Sequence, residues 1–161
     1  MEGAESPPPA RWPPGRLSEW LDLPLPAPGW VVDLGAGDGR LSLEAAKLTG
    51  RRVVAVDRRA GAGPEIRALC EGWPVRTITA CAEATGLPSG CAALVLALRL
   101  LHQVAEPGLV VEEMSRLLTL GGVAVVGQTD GFLPPLEREE RIEWAPCPAP
   151  SGMRLWRGKR K

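Results

Sequence analysis

The sequence predicts an α/β domain built on a parallel sheet. Two observations carry this. Short apolar, β-branched runs alternate along the chain with helix-patterned segments, and that alternation calls for parallel strands joined by right-handed crossovers. The first such run, Trp30-Val31-Val32-Asp33-Leu34, meets three glycines at alternate positions, Gly35, Gly37 and Gly39, and then a helical pattern of Leu41, Leu43, Ala45, Ala46 and Leu48. A strand, a glycine turn and a helix start together form a cradle for a nucleotide-like ligand. The 161 residues suffice for one domain with a real core, read here as residues 15–161 behind a proline-rich arm over residues 1–14.

The elements follow in order. Pro7-Pro8-Pro9 and Pro13-Pro14 make the arm extended or unstructured, and a short amphipathic helix is predicted from Arg16 to Leu23, with Leu17, Trp20 and Leu21 on one face. After the first strand and helix, Arg51 to Asp57 reads as strand two and Pro64 to Trp73 as a helix with proline in its first turn. Val75 to Thr79 is strand three, and Ala92 to Leu98, apolar throughout, is strand four. Glu106 to Leu118 is an amphipathic helix whose buried side should hold Leu109, Val110, Met114, Leu117 and Leu118. Gly121-Gly122 should turn the chain into strand five, Val123 to Val126. A short helix around Pro134 to Glu140 and two closing strands, Arg141–Ala145 and Met153–Arg157, complete the reading.

Composition narrows the function classes. Hydrophobic residues make up 45% and charged residues 24% of the chain, as in soluble domains, and the formal net charge is zero, so neither nucleic acid nor a membrane surface is an expected partner. No apolar run approaches the roughly 18 residues of a membrane span. The first residues lack the basic and apolar regions of a signal peptide. Cys70, Cys81, Cys91 and Cys147 include no Cys-x-x-Cys pair, and one histidine cannot complete a zinc-finger set, so reduced thiols, a cytoplasmic location and no metal are expected. The oligomeric state stays open, with a homodimer among the options.

The spacing in the glycine turn narrows the choice of ligand. In the dinucleotide fingerprint the third glycine stands three positions after the second. Here it stands two after, and Asp33 precedes the first glycine by two. A carboxylate at that point repels a pyrophosphate and suits a ligand with an ammonium group near the loop. Asp57, at the end of strand two, can accept both hydroxyls of a ribose. It also disfavours a 2′-phosphate, despite Arg58 and Arg59 beside it. Arg58 is either a rim residue beside an adenosine or merely solvated.

At Asp33-Leu34-Gly35-Ala36-Gly37-Asp38-Gly39 the chain resembles the class I S-adenosylmethionine-dependent methyltransferases. Glu113-Met114-Ser115-Arg116-Leu117-Leu118-Thr119-Leu120-Gly121-Gly122 resembles that family's Glu-x-x-Arg-x-Leu-x-Pro-Gly-Gly, with Leu120 in place of the proline. The lead-in Arg11-Trp12-Pro13-Pro14 and Trp20-Leu21 resembles that of the small methyltransferases related to ubiquinone and menaquinone C-methylating enzymes, where it lies beside the substrate pocket. A tail packing its tryptophans on the core is the alternative. The resemblance implies a Rossmann-like, doubly wound sheet of order 3-2-1-4-5-7-6 with the last strand antiparallel.

It further implies S-adenosylmethionine as cofactor, a small-molecule methyl acceptor, and binding at Asp33, Gly35, Ala36, Gly37, Gly39, Asp57, Arg58, Cys81, Ala82, Glu83 and Leu98. Cys81 stands where the family commonly has Asp against adenine, and Glu83 either supplies that acid by a shift of register or is an outward loop charge. His102 is where the resembling enzymes often carry histidine. It either orients the acceptor and takes its proton, or is a helix-start residue satisfied by backbone. Asp130 is a further ionisable candidate, and the Phe132–Pro135 segment a further part of an acceptor pocket. The rival functions are a non-catalytic nucleoside-binding module and an NAD- or nucleotide-sugar-binding oxidoreductase, the latter disfavoured by Asp33 and the glycine spacing.

Overall fold

The computed structural model describes residues 17–129, 131–150 and 152–161. The arm over residues 1–14, the Arg11–Pro14 part of the lead-in and Asp130 lie outside the described residues. Seven strands form one sheet: β1 (Trp30–Leu34), β2 (Val53–Asp57), β3 (Val75–Thr79), β4 (Ala92–Leu98), β5 (Leu118–Thr129), β6 (Ile142–Cys147) and β7 (Met153–Arg160). Their order is β3-β2-β1-β4-β5-β7-β6. The pairs from β3 to β5 are parallel, and β7 runs antiparallel to both β5 and β6. The order, the mixed direction and the antiparallel last strand agree with the expected sheet.

Helices cover both faces, as a parallel sheet requires. Helix α1 (Arg40–Thr49) and the segment with Leu17, Trp20, Leu21 and Leu25 pack on Val31, Val53, Leu94, Leu96 and Val125. Helix α3 (Pro107–Leu117) lays Val110, Met114 and Leu117 on the other face, against Val32, Val95, Ala97, Ala124 and Val126. Helix α2 (Ala62–Leu69) joins Ala55 and Ala36 through Ala62 and Ile66. Period-two alternation along the central strands thus feeds two cores, and β1 and β4 at the centre are buried almost throughout.

Several boundaries differ from expectation. Strand β5 begins before the two glycines rather than after them. The expected turn is a bulge: Ala92 pairs with Leu118, and the next pair is Leu94 with Val123. Gly121, at φ 78°, absorbs the extra chain. Helix α2 ends at Leu69, where the Cys70 amide caps it on Ile66, and Gly72 at φ 82° turns the chain before Pro74. The predicted helices near residues 16–23 and 134–140 are single 3-10 turns, Leu17–Glu19, with Pro24 soon after it, and Leu136–Arg138, directly after Pro134 and Pro135. Leu109 is 41% exposed instead of buried, because α3 turns its 110, 111, 114 and 117 positions inward. All four cysteines are free thiols.

Candidate functional site

The cavity at the carboxyl ends of β1, β2 and β4 has a volume of about 1090 Å³. This is the crevice that parallel α/β sheets offer to ligands where the strand order reverses, here between β1 and β4. The glycine turn forms its floor. Gly37 has φ 59°, and a side chain there would meet nothing nearer than the Gly35 carbonyl at 3.9 Å, so its backbone is open to a ligand. Gly39 plays a different part. It has φ 87°, and a Cβ there would stand 3.0 Å from Ile66, so a bare backbone is needed to bring α1 and α2 together. It is not in the cavity wall.

Two carboxylates flank the turn. Asp33 is 2% exposed and lines the cavity. Burial pushes its pKa up to about 7, against the Ser42 hydroxyl, which donates to Oδ2 at 2.6 Å, and with help from the charges of Asp57 and Asp38. Asp57 ends β2, and its two carboxyl oxygens serve different neighbours. Oδ2 accepts the Gly37 N–H at 2.9 Å, and Oδ1 accepts the Arg59 N–H at 2.9 Å and its Nε–H at 3.2 Å. Arg59 also donates to the Gly37 carbonyl at 3.2 Å. Its side chain is 58% exposed, so it can swing into water and free Asp57 lone pairs at little cost.

The other expected residues fall on the same wall. Gly35, Ala36, Arg58, Cys81, Ala82, Glu83 and Leu98 all line the cavity. Cys81 and Ala84 form a small bridge that turns the loop inward, and Thr85 anchors the loop by giving its N–H and hydroxyl to Glu113 Oε1 at 3.1 and 2.8 Å. Burial alone would raise the Glu113 pKa, but hydrogen bonds from Arg116 and Thr85 outweigh it and hold the carboxyl below its ordinary range. Leu17 and Trp20, in the described part of the lead-in, line the cavity and are at the same time core residues.

His102 stands apart. It lies in a 3-10 turn, Leu101–Gln103, that leaves β4 at the ligand end, yet the cavity wall takes Leu100, Gln103 and Val104 from this segment and not His102. Its Nδ1 is 2.9 Å from Oε1 of Gln128, a fully buried residue of β5, and its ring meets Phe132 edge-on at 6.3 Å. Phe132, Leu133 and Pro135 line a second cavity of about 530 Å³ that shares Ala105 with the first. Sequence reasoning missed Ser42, Arg99 and Gln128. None sits in a motif, and only the fold brings them to the site.

A methyltransferase domain family matches residues 32–126, from inside β1 into the last third of β5, which is more than half of the chain. The chain belongs to this methyltransferase family. The match is to the broad domain and singles out no ubiquinone or menaquinone subgroup. No curated protein matches the sequence significantly. Among solved structures, a protein from Pyrococcus horikoshii OT3 aligns at TM-score 0.74 and 19% identity over 90% of this chain and 88% of its own. The N-methyltransferase NodS from Bradyrhizobium japonicum WM9, solved with S-adenosylhomocysteine, aligns at 0.68 and 15% over 82% and 78%. A candidate methyltransferase from Bacillus halodurans C-125 aligns at 0.59 and 24% over 65% and 47%, so this methyltransferase domain spans about half the length of that chain. At such identities the likeness is one of fold. Among the described residues no cluster of His, Cys, Asp or Glu could hold a metal, and no helix is long and apolar enough to cross a membrane.

Proposed function

We propose that this domain transfers a methyl group from S-adenosylmethionine to a nucleophilic atom of a small-molecule acceptor in the cytoplasm, a setting that suits its free thiols. The observation that supports this best is a glycine turn with a separate carboxylate on each side of it in one cavity. A dinucleotide site needs an anion-accepting loop and has no use for a buried acid at Asp33. In this reading Asp33 meets the donor's ammonium group, and the Gly35, Ala36 and Gly37 backbone runs beside its tail. Asp57 accepts the ribose hydroxyls, Arg58 stands at the rim, Cys81, Ala82 and Glu83 flank the adenine, and Leu98 packs beneath. S-adenosylmethionine supplies, when bound, a methyl carbon activated by its positive sulfur. What remains for the protein is to align the acceptor and exclude water.

His102 takes the acceptor side in this reading. In this reading the neutral ring donates its Nδ1–H to Oε1 of Gln128, the tautomer that leaves a lone pair on Nε2 for the acceptor's proton. Calorimetry should detect S-adenosylhomocysteine and no NAD; the opposite pattern refutes the assignment. His102→Ala should lower turnover about 10²-fold with cofactor affinity intact. Unchanged turnover would leave positioning alone to carry the reaction.

A further inference from the structure

Arg99 is the one charged side chain that the segment leaving β4 puts in the cavity wall. Its backbone is left-handed, φ 56°, the sole non-glycine residue with positive φ among the described residues. That conformation costs an ordinary side chain about 1–2 kcal/mol. Two hydrogen bonds hold it there: the Arg99 N–H donates to the Gly127 carbonyl, and Gln103 Nε2 donates to the Arg99 carbonyl, each at 2.7 Å. The neighbouring strand and the following turn thus fix where this side chain starts.

Among the described residues the guanidinium has no counter-charge. Its Nε is buried and meets no acceptor. The other cations of the wall are matched or wet: Arg40 pairs with Asp38 at 3.3 Å, Arg59 with Asp57, Lys47 lies 5.5 Å over Trp73, and Arg58 is exposed. A buried donor left unmet costs about 1–3 kcal/mol, more when charged. A planar fork of donors that is half sunk in a cavity wall matches an oxyanion, which it can grip with two parallel hydrogen bonds.

We propose that Arg99 binds an oxyanion of the methyl acceptor, a carboxylate or a phosphate ester, so that the substrate is an acidic small molecule. This rests on reading the cavity as a methyl-transfer site. With Asp33, Asp57 and Glu83 committed to the donor's ammonium, ribose and adenine, the unpaired charge that the segment leaving β4 presents to the cavity is positive, and an acidic acceptor neutralises it.

The test uses the full chain, free and saturated with S-adenosylhomocysteine, titrated separately with acetate and with inorganic phosphate. The readout is the Nε–Hε resonance of Arg99, assigned by its absence in Arg99→Gln. The expected result is a saturable shift of that resonance in the saturated protein with at least one anion. The anion that acts tells a carboxylate from a phosphate site. Arg99→Gln should weaken the anion binding seen by calorimetry about tenfold or more and Arg99→Lys less, with S-adenosylhomocysteine affinity within about twofold of wild type. A resonance unmoved by both anions overturns the proposal. So does an anion that displaces S-adenosylhomocysteine, or an Arg99→Gln variant that loses its affinity for it, since Arg99 then holds the cofactor's own carboxylate. Failure of S-adenosylhomocysteine to bind the wild type refutes the methyl-transfer reading instead, and the free-protein titration still decides whether Arg99 takes an oxyanion.

Discussion

Asp33 couples stability to pH through one proton and, in the proposed function, couples ligand binding to the same proton. Its pKa is about 7 in the fold against 3.8 for the free side chain, a rise of about three units driven first by burial. At roughly 1.4 kcal/mol per unit the difference is worth about 4 kcal/mol. Between those two values the folded protein holds a proton that the unfolded chain has released. Stability must therefore fall as pH rises through that window, and above about pH 7 the whole contribution is lost. Asp33→Asn cannot ionise. It should match wild type at about pH 4 and exceed it at about pH 8 by a few kcal/mol, less any change in the hydrogen bond from Ser42. Urea unfolding followed by tryptophan fluorescence, at steps of pH, measures both curves. Glu113 and Glu139 titrate with the opposite sign, since their carboxyls are lowered in the fold, but they are common to both proteins and cancel in the difference. Parallel curves for variant and wild type across the window would refute the buried, proton-holding Asp33.

The same variant probes function. An ammonium group binds the ionised form of Asp33, so S-adenosylhomocysteine affinity of the wild type should rise about tenfold per pH unit below about pH 7 and then level. In Asp33→Asn the affinity should be lower and independent of pH there. The variant that gains stability at high pH is thus the one that loses ligand, as expected where a site keeps a buried charge for its partner. A wild-type affinity that ignores pH would remove Asp33 from the donor's ammonium.

Two further outcomes follow from the turn itself. Asp57→Ala should weaken S-adenosylhomocysteine by roughly 1.5–3 kcal/mol in calorimetry, because it removes a charged acceptor and also unties the Gly37 amide; an unchanged affinity would take the ribose away from β2. Gly39→Ala should lower stability by about 1–3 kcal/mol in urea unfolding, since its Cβ would press on Ile66 at φ 87°; a neutral effect would mean that α1 and α2 can part at no cost.

Most of the sheet was legible because a buried parallel strand has little choice of composition. The runs Trp30–Leu34, Val75–Thr79 and Ala92–Leu98 coincide with β1, β3 and β4: Gly29 and Gly35 bound the first, Pro74 precedes the second and Arg99 ends the third. Helix and strand ends near glycine and proline were less legible. Gly121 signalled a change of direction, but whether the chain turns out of the sheet or bulges within it depends on pairing with β4. Leu109 fits the helical period as well as Val110 does, and only the angle at which α3 meets the sheet puts it outside.

In the proposed function the donor side of the site is written in backbone, and the acceptor side in side chains. A turn that lines a cavity and brings two helices together admits few residues, so Gly35, Gly37 and Gly39 announce it, and Asp57 is found by counting to the end of the next strand. Arg99 announces nothing in the sequence. Its meaning comes from the Gly127 carbonyl on β5, from the Gln103 amide, and from a guanidinium that no described acid pairs. Gln128 likewise matters only because β5 sets it against a turn 26 residues upstream. A fold that serves many acceptors would keep the first kind of feature and vary the second. The substrate of this chain should therefore be sought in what surrounds Arg99 and His102, while the glycine turn speaks only for the donor.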